Sequence, residues 1–405
     1  MINTGIIAEY NPLHNGHIHH INETKKINKT DNLICIMSGN FIQRGLPASY
    51  DKWTRTKMAI NAGIDLVIEL PTYYAVNSAE YFSSYAVKIL NSLNCLNYLS
   101  FGSEEKELDK LKTISNLLIN ETEEFKYNLK QELDKGLSFP KARENATMLT
   151  LNDNSLNNIL NKSNNILAIE YLKELGKSNS KITPINIPRI NNNYNDETIT
   201  DNISSATSIR KLLNKKLITE NEIEILEQLV PNTTFELMKE NIISTYLNDL
   251  KRFEKEILFL IKHKKEHELQ NILEVTEGLE NRLKKYCYET DDIYEYISLI
   301  KTKRFTETKI QRILIHILLN MTKTEFNEIQ ENIDKYMYIR VLGFNNKGKE
   351  LLKQISKNTN ISIITSVKKY IDITPNNPLL QKDILASNIY CNKHNIDYTE
   401  KIVNI

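Results

Sequence analysis

The sequence has little cysteine and no long hydrophobic run, and each shortage argues against a class of protein. Its four cysteines, Cys35, Cys95, Cys287 and Cys391, lie far apart in 405 residues and form no Cys-x-x-Cys pair. This spacing argues against a disulfide framework and indicates reduced thiols in a cytoplasmic protein. No apolar stretch approaches the ~18 residues that a membrane span needs. We therefore expect no membrane partner.

The chain also lacks a recognisable leader and an excess of charge of either sign. Turn and charged residues begin at Glu9, so we expect no signal peptide. The formal net charge is +1, from 52 basic and 51 acidic residues. The charge of the whole chain therefore indicates no nucleic-acid partner, and local charge has to be considered instead.

Apolar runs alternate with helical patterns through the first half of the chain. We predict strands at 4–8, 32–37, 65–70, 96–101 and 181–187. We predict helices at 15–27, 52–62, 79–93 and 207–214. This alternation predicts an α/β fold with a Rossmann-like, doubly wound parallel sheet.

The second half has a different pattern. Residues 219–330 show helical periodicity, and residues 336–405 have the pattern of a small α/β unit with strands at 337–342 and 361–364. We therefore expect a mainly helical C-terminal region after the first domain. The expected boundaries are 1–215, 216–335 and 336–405.

The first strand leads into a Glu-Tyr-Asn-Pro turn, after which His14-Asn15-Gly16-His17 opens a helix. Histidines three residues apart share one face of a helix. A helix N-terminus attracts phosphate through its unpaired N–H groups. Gly16 lacks a Cβ, so a nucleotide can approach the backbone closely. The pattern predicts a site for the phosphates of ATP and adenylyl-transfer chemistry.

Two other interpretations of these histidines stay open. They could simply cap the helix, or the cluster His14, His17, His19 and His20 could hold a metal ion. Zinc sites usually recruit cysteine or carboxylate at defined spacing, and no cysteine lies near this cluster. We therefore predict no metal site built from protein ligands.

A second polar segment, Ser204 to Arg210, places several hydroxyl groups before an arginine at the start of a predicted helix. Such hydroxyl and N–H groups can hold β- and γ-phosphates, and Arg210 can neutralise developing charge. The alternative is a serine-rich helix cap with a solvated arginine. Because the histidine motif lies in the same predicted domain, we favour phosphate binding.

Together these segments resemble the HIGH-type nucleotidyltransferases and, within them, the bacterial tRNA(Met) cytidine acetate ligases. The similar blocks are 9–17, 37–45, 52–55, 65–71, 101–104, 164–167, 277–280 and 299–306. The resemblance implies an enzyme that uses ATP to activate acetate as acetyl-adenylate. The acetyl group would then pass to N4 of the wobble cytidine of elongator tRNA(Met). Departures at Leu13, Ser163 and Ala168 touch packing and loop shape and leave the phosphate residues in place.

The motifs and the resemblance define the candidate residues. We expect His14, His17 and Arg210 to be catalytic, with Mg²⁺ bridging phosphate oxygens. The resemblance implies ATP contacts at Ile7, Ala8, Glu9, Tyr10, Asn11, Pro12, His14, Asn15, Gly16, His17, His20, Gly102, Asn164 or Asn165, and Arg189. The hydroxyl segment adds Ser205, Thr207 and Ser208 as phosphate contacts. Candidates for the acetate or cytidine pocket are Ser38, Gly39, Gln43 and Arg44.

A basic segment in the second half is the candidate tRNA contact. Between Lys301 and Arg312 five basic residues stand against one acidic residue, and Phe305 could stack on a base or pack inside. The candidate tRNA contacts are Lys301, Lys303, Arg304, Lys309, Arg312 and, in a second patch, Arg340. Such a run is also typical of a solvated helix face. The expected partners are elongator tRNA(Met) and acetate, and a homodimer is left open.

Two rival functions remain at this stage. One is an adenylyltransferase for a small phosphorylated substrate, which would leave the locally basic C-terminal half unexplained. The other is a non-catalytic RNA-binding protein, against which the intact His14, Gly16, His17 and Arg210 argue.

Overall fold

The computed structural model describes residues 1–189, 206–215, 218–239, 249–374, 376–392, 396 and 402–405. Its strands are β1 (Asn3–Ala8), β2 (Asn32–Ser38), β3 (Phe41–Ile42), β4 (Leu46–Pro47), β5 (Leu66–Leu70), β6 (Tyr98–Ser103), β7 (Thr183–Pro188), β8 (Tyr338–Phe344), β9 (Ser362–Ile364) and β10 (Val403–Asn404).

The helices of the first half are α1 (Asn15–Ile27), α2 (Lys52–Asn61), α3 (Thr72–Ala75), α4 (Ala79–Ser92), α5 (Leu108–Ile119), α6 (Glu123–Asp134), α7 (Phe139–Leu151), α8 (Ser163–Lys177) and α9 (Ala206–Leu213). Those of the second half are α10 (Glu220–Leu229), α11 (Asn232–Lys239), α12 (Glu254–His263), α13 (Glu266–Gln270), α14 (Leu279–Tyr286), α15 (Ile293–Ile300), α16 (Glu307–Leu318), α17 (Lys323–Glu331), α18 (Ile333–Tyr336), α19 (Asn346–Asn358), α20 (Val367–Ile373) and α21 (Pro378–Cys391). Short 3₁₀ turns lie at Asn154–Leu156 and Leu250–Phe253.

Eight strands form one sheet in the order β10-β8-β5-β2-β1-β6-β7, with β9 paired to β8. The five strands β5, β2, β1, β6 and β7 run parallel to one another. Every residue of β2 is buried, as expected for a strand that is covered on both faces. The predicted doubly wound parallel sheet is therefore confirmed. The antiparallel pair of β3 and β4 is an addition that the sequence analysis did not predict.

The C-terminal strands extend this sheet. β8 runs antiparallel to β5, and β9 and β10 run parallel to β8. The three described strands of the range 336–405 thus extend the sheet that the first half of the chain forms, and the domain boundary at 335 stays a prediction. The backbone polar groups of β5 and β8 satisfy each other along this junction.

A buried ion cluster lies at the same junction. Glu69 of β5 contacts Lys52 at 3.0 Å and Arg340 of β8 at 3.1 Å. Arg340 is only 1% exposed, because its guanidinium lies inside the protein beside this carboxylate. The prediction that Arg340 contacts tRNA is therefore wrong.

The helical region packs against the loop that follows β2. Gly45 has φ +77°, and a Cβ there would collide with the backbone of Gln311 and Arg312 in α16. Glycine therefore permits both the left-handed backbone and the close approach of the helix. As a result, α16 lies at the carboxyl edge of the parallel strands. Within the described ranges, each helix is too short or too polar to cross a membrane.

Candidate active site

A cavity of about 600 Å³ lies at the carboxyl ends of the parallel strands, where doubly wound sheets bind their ligands. The turn after β1 forms its centre. The loops after β6 and β7 form one side, and the loop after β2 forms the other. Helices α7, α8 and α16 complete the wall.

His14 and His17 cap helix α1 reciprocally. The backbone N–H of Gly16 donates to Nδ1 of His14 at 3.1 Å, and the N–H of His14 donates to Nδ1 of His17 at 3.2 Å. The two ring centroids are 3.8 Å apart, and Tyr10 packs edge-on against His17. Because both Nδ1 atoms accept, a neutral ring carries its proton on Nε2. The capping interpretation is therefore correct, and it leaves an Nε2–H donor on each ring for a ligand.

The environment keeps these rings neutral. Burial lowers the pKa of His14 to about 3, with further lowering by the charges of Arg189 and Arg210. Burial also lowers the pKa of His17 well below its usual value, and neighbouring His14 and Arg189 add to the effect. The pKa of His20 is lowered to about 4, again mainly by burial. At neutral pH the rings thus donate hydrogen bonds without carrying charge.

Arg210 joins the second predicted segment to the first. Its Nη1 donates to the carbonyl oxygen of Asn11 at 2.9 Å, and its Nη2 donates to Oγ1 of Thr207 at 3.0 Å. Arg210 therefore links α9 to the turn before the histidines and lines the cavity. A fixed cation beside neutral histidines is an arrangement that stabilises phosphate charge.

The loops after β6 and β7 form the adjoining wall. Gly102 and Arg189 line the cavity, and a Cβ at Gly102 would meet Cγ of Arg189 only at 3.7 Å. The neighbouring protein therefore does not require a glycine here, and the space that it leaves can accept a ligand. Asn164 also lines the cavity, whereas Asn165 is buried and accepts hydrogen bonds from the N–H groups of Glu104 and Glu105. Of the two asparagines, Asn164 is thus the one that lines the cavity, and its contact with a nucleotide stays a prediction.

The loop after β2 forms the opposite wall. Nε2 of Gln43 donates to the carbonyl oxygen of Asn77 at 3.0 Å, and Nη2 of Arg44 donates to Oγ of Ser163 at 3.2 Å. Both Gln43 and Arg44 line the cavity. Ser38 and Gly39 do not line it. Their carbonyl oxygens instead accept hydrogen bonds from the buried Arg55.

The structure brings most of the predicted residues to this cavity. Those that line it are Ile7, Ala8, Glu9, Tyr10, Asn11, His14, Gly16, His17, His20, Gly102, Asn164, Arg189, Arg210, Gln43 and Arg44. Those that do not are Pro12, Asn15, Asn165, Thr207, Ser208, Ser38 and Gly39. The side chain of Asn15 points instead to the carbonyl oxygen of Gln228, at 2.8 Å. Ser205 lies outside the described residues.

The basic segment at 301–312 is divided between surface and cavity. Lys301, Lys303 and Arg304 are exposed, and two of them contact acidic residues, Lys301 with Glu307 and Arg304 with Glu277. Phe305 is buried, so it packs inside and cannot stack on a base. Lys309 is partly buried and donates to Thr276. Arg312 lines the cavity and is held by Glu274 through two contacts of 2.6 Å.

Sequence reasoning missed one part of the wall. Phe139 and Arg143 of α7, Glu170 of α8, and Thr306 and Thr308 at the start of α16 all line the cavity. Helical spacing places Phe139 and Arg143 on one face of α7, but nothing local shows that this face borders a site. Within the described ranges, no group of three or more His, Cys, Asp or Glu residues could hold a metal ion.

A parallel sheet with two capping histidines and a neighbouring arginine at its carboxyl edge is the arrangement of a nucleotidyl transferase of the HIGH type. The family model of the HIGH Nucleotidyl Transferase matches residues 1–402. The tRNA(Met) cytidine acetate ligase of Thermoanaerobacter sp. (strain X514) is 44% identical over 387 residues, which are 95% of this chain and 94% of that protein. The tRNA(Met) cytidine acetate ligase of Clostridium perfringens (strain SM101 / Type A) is 45% identical over 397 residues, 96% of this chain and 94% of that protein. The chain belongs to the tRNA(Met) cytidine acetate ligase family.

Solved structures agree with this assignment. The crystal structure of Thermotoga maritima TmcAL in an apo form superposes with a TM-score of 0.93 at 29% identity and covers all of both chains. The structure of the same protein bound with alpha-thio ATP superposes with a TM-score of 0.89 at 29% identity, again over all of both chains.

Proposed function

We propose that this chain activates acetate with ATP and transfers the acetyl group to N4 of the wobble cytidine of elongator tRNA(Met). The observation that carries the proposal is the pair of neutral, mutually capping histidines with Arg210 beside them at one cavity. Membership of the ligase family indicates that the acyl group is acetyl and that the acceptor is a cytidine of tRNA(Met). The rival adenylyltransferase and RNA-binding functions have no observation that favours them.

In the first half-reaction an acetate oxygen attacks the α-phosphorus of ATP, and the bond to pyrophosphate breaks. The Nε2–H groups of His14 and His17 would donate to phosphate oxygens, and Arg210 would neutralise charge on the leaving pyrophosphate. No protein nucleophile is required, because the chemistry depends on positioning and on stabilisation of charge. We assign the catalytic roles to these three residues.

In the second half-reaction N4 of cytidine attacks the carbonyl carbon of acetyl-adenylate. The bond to the AMP oxygen breaks, N4 loses one proton, and AMP leaves. Gln43 and Arg44 stand on the side of the cavity opposite Gly102 and Arg189, which suits them to the acetate or cytidine end.

Mg²⁺ fits this site as a companion of ATP. Among the described residues no cluster of acidic or histidine side chains could bind a metal by itself. Mg²⁺ commonly binds through substrate phosphates and water with few protein ligands. It would screen the triphosphate charge, while the histidines and Arg210 position the reacting phosphate.

The tRNA is proposed to contact the region 216–335 through the exposed residues Lys301, Lys303 and Arg304. The three-domain division, a homodimer and a cytoplasmic location stay predictions. Charge reversal, Lys303→Glu, should raise the KM for tRNA and spare ATP–pyrophosphate exchange. Lys26→Glu is the matched control, because Lys26 is exposed at the end of α1 far from the histidines. Equal effects of the two variants on tRNA affinity would contradict this contact.

The deciding experiment incubates the chain with ATP, labelled acetate and bulk tRNA. Acid-stable label in tRNA, lost when cytidine at the wobble position is replaced, supports the proposal. AMP formation with label on another acceptor would support an adenylyltransferase, and absence of turnover would support an RNA-binding protein. His17→Ala should also abolish acetate-dependent ATP–pyrophosphate exchange, and near-normal exchange would contradict the role of His17.

A further inference from the structure

The cavity extends beyond the residues assigned to ATP. In the sheet order, β6 and β7 lie on one side of β1, and β2 and β5 lie on the other. Gly102 is near the end of β6 and Arg189 follows β7, whereas Gln43 lies in the segment between β2 and α2, and Ser78 lies between β5 and α4. The turn after β1 lies between them, so a nucleotide bound at Gly102 leaves the β2 and β5 side for the acceptor.

The cavity wall also contains an exposed aromatic ring, on α7. This helix is linked to the β5 side of the cavity, because Arg143 binds Glu170. Lys173 in turn bridges Glu170 to Glu80 at the start of α4, which comes after β5 in the chain. Phe139 begins α7, lines the cavity and is 54% exposed. Arg143 lies one turn further on, with its guanidinium carbon 5.9 Å from the centroid of the Phe139 ring. An exposed aromatic side chain at a cavity is suited to stack on an unpaired nucleic-acid base.

Arg143 is held beside this ring by a buried carboxylate. Its Nη1 donates to Oε1 of Glu170 at 2.6 Å, and Lys173 contacts Oε2 of Glu170 at 2.7 Å. Glu170 is 1% exposed and the side chain of Arg143 is 13% exposed. The bond to Glu170 uses one N–H of a guanidinium that has several, so Arg143 keeps donors for a ligand.

The basic segment at 301–312 also reaches this cavity. Thr306 and Thr308, at the start of α16, line the cavity directly after the exposed residues 301–304. Arg312 follows one turn later, and the Gly45 turn packs against the backbone of this helix. RNA lying on the basic segment is therefore beside the cavity entrance.

From this arrangement we infer that Phe139 and Arg143 form the pocket for the cytosine base extruded from the tRNA. Phe139 stacks on the base, Arg143 donates to the acceptors N3 and O2, and Glu170 positions Arg143. Cytosine offers two adjacent acceptors to this fork, whereas uracil presents an N3–H donor that the fork would repel. The inference rests on the proposed function, and it assigns to Arg143 the choice of cytosine over uracil.

The main test is Phe139→Ala, because a half-exposed ring contributes little to folding. Tyr127→Ala is the matched control, since Tyr127 is 63% exposed on α6 and does not line the cavity. We expect Phe139→Ala to lower kcat/KM for tRNA about 10-fold or more through lost stacking. Acetate-dependent ATP–pyrophosphate exchange without tRNA should change far less, and Tyr127→Ala should change neither rate.

The second test addresses the choice of base. A tRNA transcript with uridine at the wobble position serves as an inhibitor of acetylation, and its KI is compared with the KM of the natural transcript. Arg143→Met should lower the ratio of this KI to the KM about 10-fold, because one bidentate contact with the base is lost. Circular dichroism and thermal melting check that the variant is folded. If Arg143→Met is unfolded, the ratio of KI to KM is measured with Arg143→Lys. That variant keeps the positive charge but loses the paired N–H donors of the guanidinium.

The outcomes separate this inference from the proposed function. If the wild-type chain places no acetyl group on tRNA, the proposed function fails. If it does so, but Phe139→Ala keeps normal kcat/KM or loses exchange to the same extent, the pocket assignment is wrong. An unchanged ratio of the KI of the uridine transcript to the KM of the natural transcript, in a folded Arg143 variant, would likewise overturn the role of Arg143.

Discussion

We assign two separable roles to His14, helix capping and phosphate binding, and one substitution distinguishes them. Its Nδ1 caps α1 by accepting from the N–H of Gly16, while its Nε2–H is free to donate to phosphate. Asparagine is among the best N-cap residues, because its side-chain oxygen accepts the same kind of hydrogen bond. It cannot place a donor where the imidazole Nε2 lies. His14→Asn should therefore keep the cap and lose the phosphate contact, whereas His14→Ala should lose both.

The expected magnitudes differ for the two roles. Loss of a donor aimed at developing charge typically lowers kcat about 10²- to 10³-fold, so both variants should lose acetate-dependent ATP–pyrophosphate exchange to this extent. Loss of the cap should lower the free energy of unfolding by about 1 kcal/mol, in His14→Ala more than in His14→Asn. Both variants share the loss of ring packing against His17, at 3.8 Å between centroids, so the difference between them isolates the cap.

Exchange rates and denaturant unfolding of both variants check these values. Exchange in His14→Asn within about 3-fold of wild type would refute the donor role, since only the cap would then matter. A free energy of unfolding for His14→Asn as low as that for His14→Ala would refute the separation of cap from ring. The expected result is an equal fall of exchange in the two variants together with a difference in their free energies of unfolding.

Three other perturbations follow from the same geometry. Gly45→Ala should lower the free energy of unfolding by about 2 kcal/mol more than the control Gly136→Ala, as measured by thermal or urea unfolding. Both glycines have φ +77°, but only a Cβ at Gly45 would collide with the backbone of Arg312. Equal losses in the two variants would contradict this collision. Because burial lowers the folded pKa of His14 to about 3, its neutral form stabilises the fold above about pH 6.5, and this stability is lost as pH falls toward 3. In that pH window His14→Asn should reduce the slope of the free energy of unfolding against pH by the equivalent of about one proton. An unchanged slope would contradict the lowered pKa of His14. Glu69→Gln should lower stability by about 3–5 kcal/mol in urea unfolding, since it leaves buried cations uncompensated, and a loss under about 1 kcal/mol would count against the cluster.

Much of the fold could be predicted because its signals are local. Strand β2 is an uninterrupted apolar run, and α1 begins at the histidine cap, so both were found within a residue of their bounds. The pairing of β8 with β5 was not predictable, since β8 has the same apolar pattern whether it starts a separate sheet or extends an existing one.

Some residues of the site could likewise be predicted from the local sequence, and others could not. His14, His17 and Arg210 could be proposed from motifs, because a helix N-terminus needs particular residue types at particular spacing. Arg340 was misassigned, since an arginine near a glycine has the same sequence pattern whether it faces solvent or, as here, a buried carboxylate. The choice between Asn164 and Asn165 likewise depended on which side of α8 faces the cavity.

By itself the sequence determined the sheet class, the capped helix N-terminus and the adenylyl-transfer chemistry, because each depends on residues within one turn or one strand. Only the tertiary structure decided which side chains share the cavity. Phe139, Arg143, Glu170 and Arg312 come from three helices, the third of which is distant in the chain from the other two, and packing alone brings them to the carboxyl edge of the sheet. The physical reason is that apolar periodicity specifies which face of a helix is buried, but not which other helix or ligand that face will meet.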